Sequence, residues 1–188
     1  MRKWVVCVLA VVVLVAAAAA ELEGVSLPNT VTVGGTTLHL NGMGVRVKKV
    51  AFIGVKVYVA GLYLAEKSSD PAKILGADAP RQLVMHFLYK EVGKAKLVEA
   101  WNEGFEKNAG DKAGALKARI EKFNGFWSDM KSGERAVLTY IPGTGVEVEI
   151  KGQKAGVIEG KDFADALFSI WLGPNPPNED LKNGLLGK

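Results

Sequence analysis

The sequence predicts an α+β fold, a largely antiparallel sheet with helices layered on one face. Roughly seven or more short runs alternate apolar and polar residues with a period of two, and most are joined by hairpin-type turns. The helical segments are grouped together rather than alternating with the strands. Those helices carry single apolar stripes: Leu97, Trp101 and Phe105 in one, then Leu116, Ile120, Phe123 and Trp127 in the next. Lys and Glu occupy their other faces, so each helix should lie on something apolar.

The N-terminus is set aside from the fold. "MRK" is a basic start, "WVVCVLAVVVLV" an apolar core, and "AAAAA" supplies the small residues of a cleavage site. This is the pattern of a secretory signal peptide over residues 1–20, with cleavage after Ala20. The apolar run is short for a stable span and has no basic flank after it. The expectation is therefore an exported protein, periplasmic or secreted, without a stable membrane span once the leader is removed. What is left, residues 21–188, is one domain's length and long enough to bury a core. The single cysteine, Cys7, lies in the leader, so the domain folds on packing alone rather than on disulfides. The formal charge of +4 includes Arg2 and Lys3. The remainder is only mildly basic, with no Lys/Arg cluster interleaved with aromatics, which argues against a nucleic-acid partner.

Along the domain, "VSLPNTVTVGGTTLHLNG" reads as short strands turning at Gly34 and Gly35, with Val31, Val33, Leu38 and Leu40 in period two. "GMGVRVKKVAFIGVKVYVAGLYLAEK" reads as one or two long strands, with Gly54 and Gly61 marking a bend or a close backbone approach. "SSDPAKILGADAP" is a short helix with Asp70 at the N-cap and Pro71 at the first turn. Residues 81–89 form a further strand, and the two striped helices follow. "RAVLTYI" and "VEVEI" flank Pro142, Gly143, Thr144 and Gly145 as a hairpin, and a second turn falls near Gly152. A third amphipathic helix carries Phe163, Leu167, Ile170 and Trp171. The chain closes with a Pro-rich turn and a short helix capped by Asn178.

Motifs of catalysis are sparse. His39 and His86 are the two histidines, and neither has metal-ligand spacing or a cysteine partner, so no metal is expected. There is no nucleophile elbow and no P-loop, and no carboxylate pair is singled out. No cofactor is expected. Gly42, Met43 and Gly44 form a lone G-x-G, read as a strand turn or bulge. The aromatic stripes are core, some of them candidates to wall a cleft between sheet and helices. Two residues fit the strand pattern poorly. Arg46 precedes a long apolar run, and Tyr58 sits in the middle of one. The plain reading makes Arg46 a solvated strand end continuous with Lys48 and Lys49, and Tyr58 a core tyrosine.

"LNGMGVRVK" with "VKVYVAGLYL" resembles the chalcone isomerase family signature, a Gly-x-Gly-x-Arg segment followed by a strand ending Gly-hydrophobic-Tyr-Leu. "LTYIPGTGVEVEIKGQKAGVIEGKDFADALFSIWLGPNPPNEDLKNGLLG" resembles its bacterial, exported branch. The resemblance runs from about Leu40 to the C-terminus. It implies a chalcone-isomerase-like open-faced β-sandwich, a long curved antiparallel sheet covered by helices on one face. It also implies an anion-binding role for Arg46. The threonine of the plant enzymes is replaced by Tyr58. Their tyrosine and asparagine align loosely with residues 92–94 and Glu99, where neither residue type occurs, and their threonine near the C-terminal helix has no clear counterpart. The pair Arg46 and Tyr58 is closer to the family's fatty-acid-binding members. The implied function is a non-catalytic binder of a fatty acid or similar amphipathic carboxylate, with Arg46 and Tyr58 as ligand-binding residues and no catalytic residue assigned. The alternatives are an isomerase (intramolecular lyase) of unknown substrate and a protein-interaction module. A planar carboxylate would satisfy a guanidinium through two parallel hydrogen bonds, and the same donors would also hold an enolate or phenolate.

Overall fold

The computed structural model describes residues 18–110 and 112–188. Most of the expected leader lies outside the described residues. The first strand, β1 (Ala19–Leu22), pairs with β2 (Val25–Pro28), so cleavage after Ala20 would fall inside a strand. Next come β3 (Thr30–Val33) and the two long strands β4 (Thr36–Val50) and β5 (Ile53–Leu64). The long run around Arg46 is thus two strands of one hairpin, turning at Ala51 and Phe52. Helix α1 (Pro71–Gly76) starts as expected, with the Asp70 carboxylate accepting the backbone N–H groups of Ala72 and Lys73. Strand β6 (Arg81–Phe87) and the two-residue β7 (Glu91–Val92) lead into α2 (Lys94–Ala109) and α3 (Lys112–Gly125). Then follow β8 (Met130–Lys131), β9 (Arg135–Ile141), β10 (Gly145–Ile150), β11 (Gln153–Ile158), α4 (Lys161–Leu172) and α5 (Glu179–Leu185).

Seven strands form one antiparallel sheet in the order β11-β10-β9-β6-β5-β4-β3. Its two faces are both buried, but by different layers. The helix-side face presents Tyr58, Ala60, Leu62 and Leu64 of β5 with Leu83, Met85 and Phe87 of β6, packed under Leu97, Trp101 and Phe105 of α2 and Phe163, Leu167 and Trp171 of α4. The opposite face, carrying Leu38, Val59, Tyr63 and Val84, is covered in part by Val25 and Leu27 of the β1–β2 hairpin. Period-two alternation on β5 feeds both layers, so this strand is buried on both sides from Tyr58 onward. At Gly61 a Cβ would collide with Leu27, which is the close approach expected there.

Two bulges divide β4 and β5. The register slips at Asn41 on β4 and again at Val57 on β5, between the pairs Arg46–Tyr58 and Val47–Lys56. An extra residue bends a strand and frees backbone groups. The freed Val57 carbonyl accepts the N–H groups of Leu88 (2.8 Å) and Tyr89 (3.2 Å). The Asn41 side chain donates to the carbonyls of Ser68 (2.9 Å) and Leu185 (2.8 Å) and accepts the Ser68 N–H (2.8 Å). Gly42 and Gly44 have a second use besides the bulge: α5 lies so close that a Cβ at Gly44 would sit 2.5 Å from the Leu181 carbonyl. No helix among the described residues is long and apolar enough to cross a membrane.

Candidate functional site

Arg46 and Tyr58 are cross-strand partners in register, which puts their side chains on the same face, the one covered by helices. Tyr58 is buried, and Arg46 is half-buried. Tyr58 packs against Phe87 at 5.6 Å between ring centroids. Its hydroxyl accepts the indole N–H of Trp171 from α4 at 3.0 Å. Burial pushes the Tyr58 phenol up to about 12, although the Trp171 hydrogen bond and the Arg46 charge both work against the shift. Tyr58 is therefore a neutral phenol at ordinary pH. Its own O–H finds no acceptor among the described residues.

One end of the Arg46 guanidinium is fixed. Nη1 donates to the Val47 carbonyl (2.6 Å) and the Pro177 carbonyl (2.9 Å), with the Asn178 Oδ1 at 3.5 Å. The Nε and Nη2 donors have no acceptor among the described residues, and Arg46 makes no salt bridge there. Asn178 does occupy the N-cap position of α5, as expected, but its side chain caps nothing. It is diverted to the edge of β4, where Oδ1 accepts the Val47 N–H (3.2 Å) and Nδ2 donates to the Val45 carbonyl (3.2 Å). Strand β3 pairs with β4 only over Thr36–His39, so this stretch of β4 has no strand on its outer side, and Asn178 takes up hydrogen bonds there. The α5 segment is in this way tied to β4 at one end by Asn41 and at the other by Arg46 and Asn178.

Between the sheet and the helices, aromatic rings occupy the space expected for a cleft. Trp101 packs in tilted contacts against Trp127 (5.0 Å) and Trp171 (5.6 Å), and Phe105, Phe123 and Phe163 continue the cluster at 5.7–6.1 Å. The indole N–H groups of Trp101 and Trp127 are buried with no acceptor among the described residues. The Trp171 N–H spends itself on Tyr58, which leaves the Tyr58 O–H over. These unpaired donors suit an oxygen-bearing, electron-rich guest, although one buried acceptor, the Asn124 Oδ1 on α3, is also unpaired. Two surface depressions lie elsewhere. One, of about 370 Å³, is bounded by Glu21, Leu40, Asn41 and Lys67; the other, of about 630 Å³, lies on the outer side of α2 along Val98, Glu99 and Glu103.

The other sequence candidates do not join this site. Glu99 faces outward on α2, and Lys94 is exposed at its start. His39 is exposed on β4, and His86 lies on β6 across from Arg135, with burial and then the Arg135 charge lowering its pKa. No group of three or more His, Cys, Asp or Glu among the described residues is placed to hold a metal ion.

The sequence profile described as chalcone isomerase-like matches residues 19–187. The chain belongs to the chalcone isomerase-like family. A crystal structure of a fatty-acid binding protein from Arabidopsis thaliana is similar to it, with a TM-score of 0.69 at 18% identity, covering 90% of this chain and 96% of that one. At that identity the likeness is one of fold, and it agrees with the seven-stranded antiparallel sheet and helix layer described above. No curated protein sequence matches the chain.

The sequence pointed to Arg46 and Tyr58, but several of their companions escaped it. Trp171 reads as one more ring in a helical stripe, and Pro177 and Asn178 stand more than 130 positions from Arg46. The one available signal was Trp itself, since a buried indole usually seeks an acceptor.

Proposed function

We propose that this chalcone isomerase-like protein binds a fatty acid or a similar amphipathic carboxylate without turning it over. The observation that carries the reading is Arg46, a half-buried cation with no carboxylate partner in the described chain, standing beside a tyrosine whose O–H is unspent. A charge taken partly out of water is costly unless it is paired. The Val47 and Pro177 carbonyls fix the Nη1 end and turn the Nε–Nη2 edge toward a guest, where a carboxylate would accept two parallel hydrogen bonds. Tyr58, kept neutral, would donate a third. The acyl chain would run among the rings of α2 and α4, which must part to admit it, so a slender chain fits better than a rigid polycycle. The fatty-acid-binding structural neighbour supports the choice of ligand class.

Export belongs to the same proposal, with cleavage after Ala20. N-terminal sequencing of the exported protein should begin at or near Glu21, and an intact Met1 on a membrane-bound protein would overturn it.

The test of binding is mass spectrometry of small molecules released from gently purified protein, repeated after incubation with a fatty-acid mixture. A fatty acid retained near one per chain is the expected result. Protein that retains none, before or after incubation, would make this a protein-interaction module that kept the fold alone.

A further inference from the structure

Beyond its pairing with β6, the β4–β5 hairpin runs on alone. Strand β6 accompanies β5 only from Tyr58, and β3 accompanies β4 only as far as His39. Residues 47–56 therefore project as a two-stranded ribbon, pairing Val47 with Lys56, Lys48 with Val55, Lys49 with Gly54 and Val50 with Ile53. At about 3.3 Å per residue the ribbon extends on the order of 10–13 Å past the bulge.

Its composition contradicts its position. A two-residue hairpin turn ordinarily carries Asn, Asp or Gly. Here the turn is Ala51-Phe52, and Ala51 takes a positive φ of 53°, a conformation uncommon for a residue with a Cβ. Phe52 is 104% exposed, Ile53 70% and Val50 54%; the remaining large exposed hydrophobic among the described residues, Tyr89 at 47%, is tethered through its N–H to Val57 at the ribbon's base. Three of the four large apolar side chains left in solvent among the described residues are thus gathered at one end of one hairpin. Such gathering marks a contact surface.

Charge indicates the partner. Lys48 and Lys49 are exposed and form no ion pair among the described residues, and Lys90, exposed, follows Tyr89. Two acids on this side are already taken, Glu23 by Lys56 (2.7 Å) and Glu103 by Lys107 (2.6 Å). An apolar apex is backed by lysines one to two residue pairs behind it, with a tyrosine lower still. That order matches the depth profile of a bilayer surface, where apolar groups enter by about 5–10 Å and cations and aromatic rims stay at the headgroups. A protruding convex tip also suits a soft surface better than a groove on a folded partner.

We propose that the β4–β5 hairpin is a membrane-docking element that inserts Phe52, Ile53 and Val50 into an anionic lipid surface, with Lys48 and Lys49 at the phosphates. The contact is peripheral and reversible. It does not depend on what the helix-covered layer binds.

The experiment uses the full chain and its Phe52→Trp variant with vesicles of phosphatidylcholine containing about a third phosphatidylglycerol. Emission from position 52, relative to the wild-type chain in the same lipids, should shift to the blue and be quenched by acyl-brominated lipid. Phe52→Ser with Ile53→Ser should weaken vesicle partition at least tenfold. Lys48→Gln and Lys49→Gln should each weaken it about fivefold on anionic vesicles, with little effect on neutral ones. All of these variants should melt close to the wild type, because the substituted side chains are mostly in solvent. If position 52 stays unquenched while the chain sediments with vesicles, another segment makes the contact and the proposal fails. It fails equally if the tip variants abolish a dimer seen by sedimentation velocity and leave vesicle partition unchanged.

Discussion

Two arginines stand on the helix-covered sheet, and they are satisfied in different ways. Arg81, at the start of β6, is 1% exposed. Its Nη2 meets the Asp165 carboxylate at 2.6 Å, its Nη1 donates to the carbonyls of Ile74 and Ala77, and its guanidinium lies between the rings of Tyr140 (4.8 Å) and Phe168 (4.9 Å). Lys161 shares Asp165 from the other side at 2.6 Å. The fold supplies an anion, carbonyls and aromatic faces, and leaves only the buried Nε without an acceptor among the described residues. Arg46 receives carbonyls from the fold but no anion. A buried cation with its own carboxylate reads as structure. A half-buried cation without an anion among the described residues, with a neutral phenol beside it, is the ground for proposing a ligand carboxylate there.

The largest expected break in this comparison is Arg81→Ala. It leaves Asp165 beside a cavity and strips the ring stack. Breaking such a pair costs about 3–5 kcal/mol, nearer the lower end here because Asp165 is a third exposed. A fall in melting temperature on the order of 10 °C is expected, while fatty-acid affinity of the folded protein stays within about twofold. Arg46→Ala should give the opposite profile. Losing a charge-assisted contact to a ligand carboxylate costs about 2–5 kcal/mol, so affinity should drop more than tenfold. The two lost carbonyl bonds are partly solvated, and about 1 kcal/mol of stability, read as a 2–4 °C lower melting temperature, should go with them. Arg46→Lys should rescue little affinity, since an ammonium lacks the planar fork.

The contrast between the two arginines was only half visible in the sequence. Arg46 drew attention because it interrupts a strand motif, whereas Arg81 stands at a strand start, where a charged residue is ordinary. What buries Arg81 is α4, whose Asp165 lies 84 positions away. No local pattern specifies that contact. The strands, the Asp70 cap, the hairpin turns and the aromatic stripes were legible because each is local or periodic. The docking of α5 was not, since Gly42 and Gly44 look alike whether they serve a bulge or admit a helix. Nor was the bare end of the β4–β5 hairpin, because alternation shows a strand's faces and not whether a neighbour continues beside it.

A smaller effect tests the link between α5 and the site. Gly44→Ala would push a methyl into the Leu181 backbone, and overpacking of this kind typically costs 1–3 kcal/mol. Urea unfolding should register that loss. Ligand affinity should fall too, because Pro177 and Asn178 would no longer hold the guanidinium; unchanged affinity would detach α5 from the site.

Tyr58→Phe should produce the smallest change, about 0.5–1.5 kcal/mol in ligand affinity, the worth of one neutral hydrogen bond. Its pH signature is more distinctive. Burial pushes the phenols of Tyr58, Tyr63 and Tyr140 each up to about 12. Between pH 10 and 12 the unfolded chain gives up these protons and the native chain keeps them, so stability should fall as pH rises through that window. Tyr58→Phe removes one of the three contributions and should flatten the decline. An equally steep curve would mean that Tyr58 ionises as freely in the native protein as in the unfolded chain.

The most direct measurement is a paired titration of a long-chain fatty acid against the wild type, Arg46→Ala and Arg81→Ala, by calorimetry at a temperature where all three are folded. A carboxylate held at the Arg46–Tyr58 edge requires the Arg46 variant to lose more than tenfold in affinity and the Arg81 variant to bind like the wild type. Equal affinity for wild type and Arg46→Ala would contradict the account and leave Arg46 as the tether of α5.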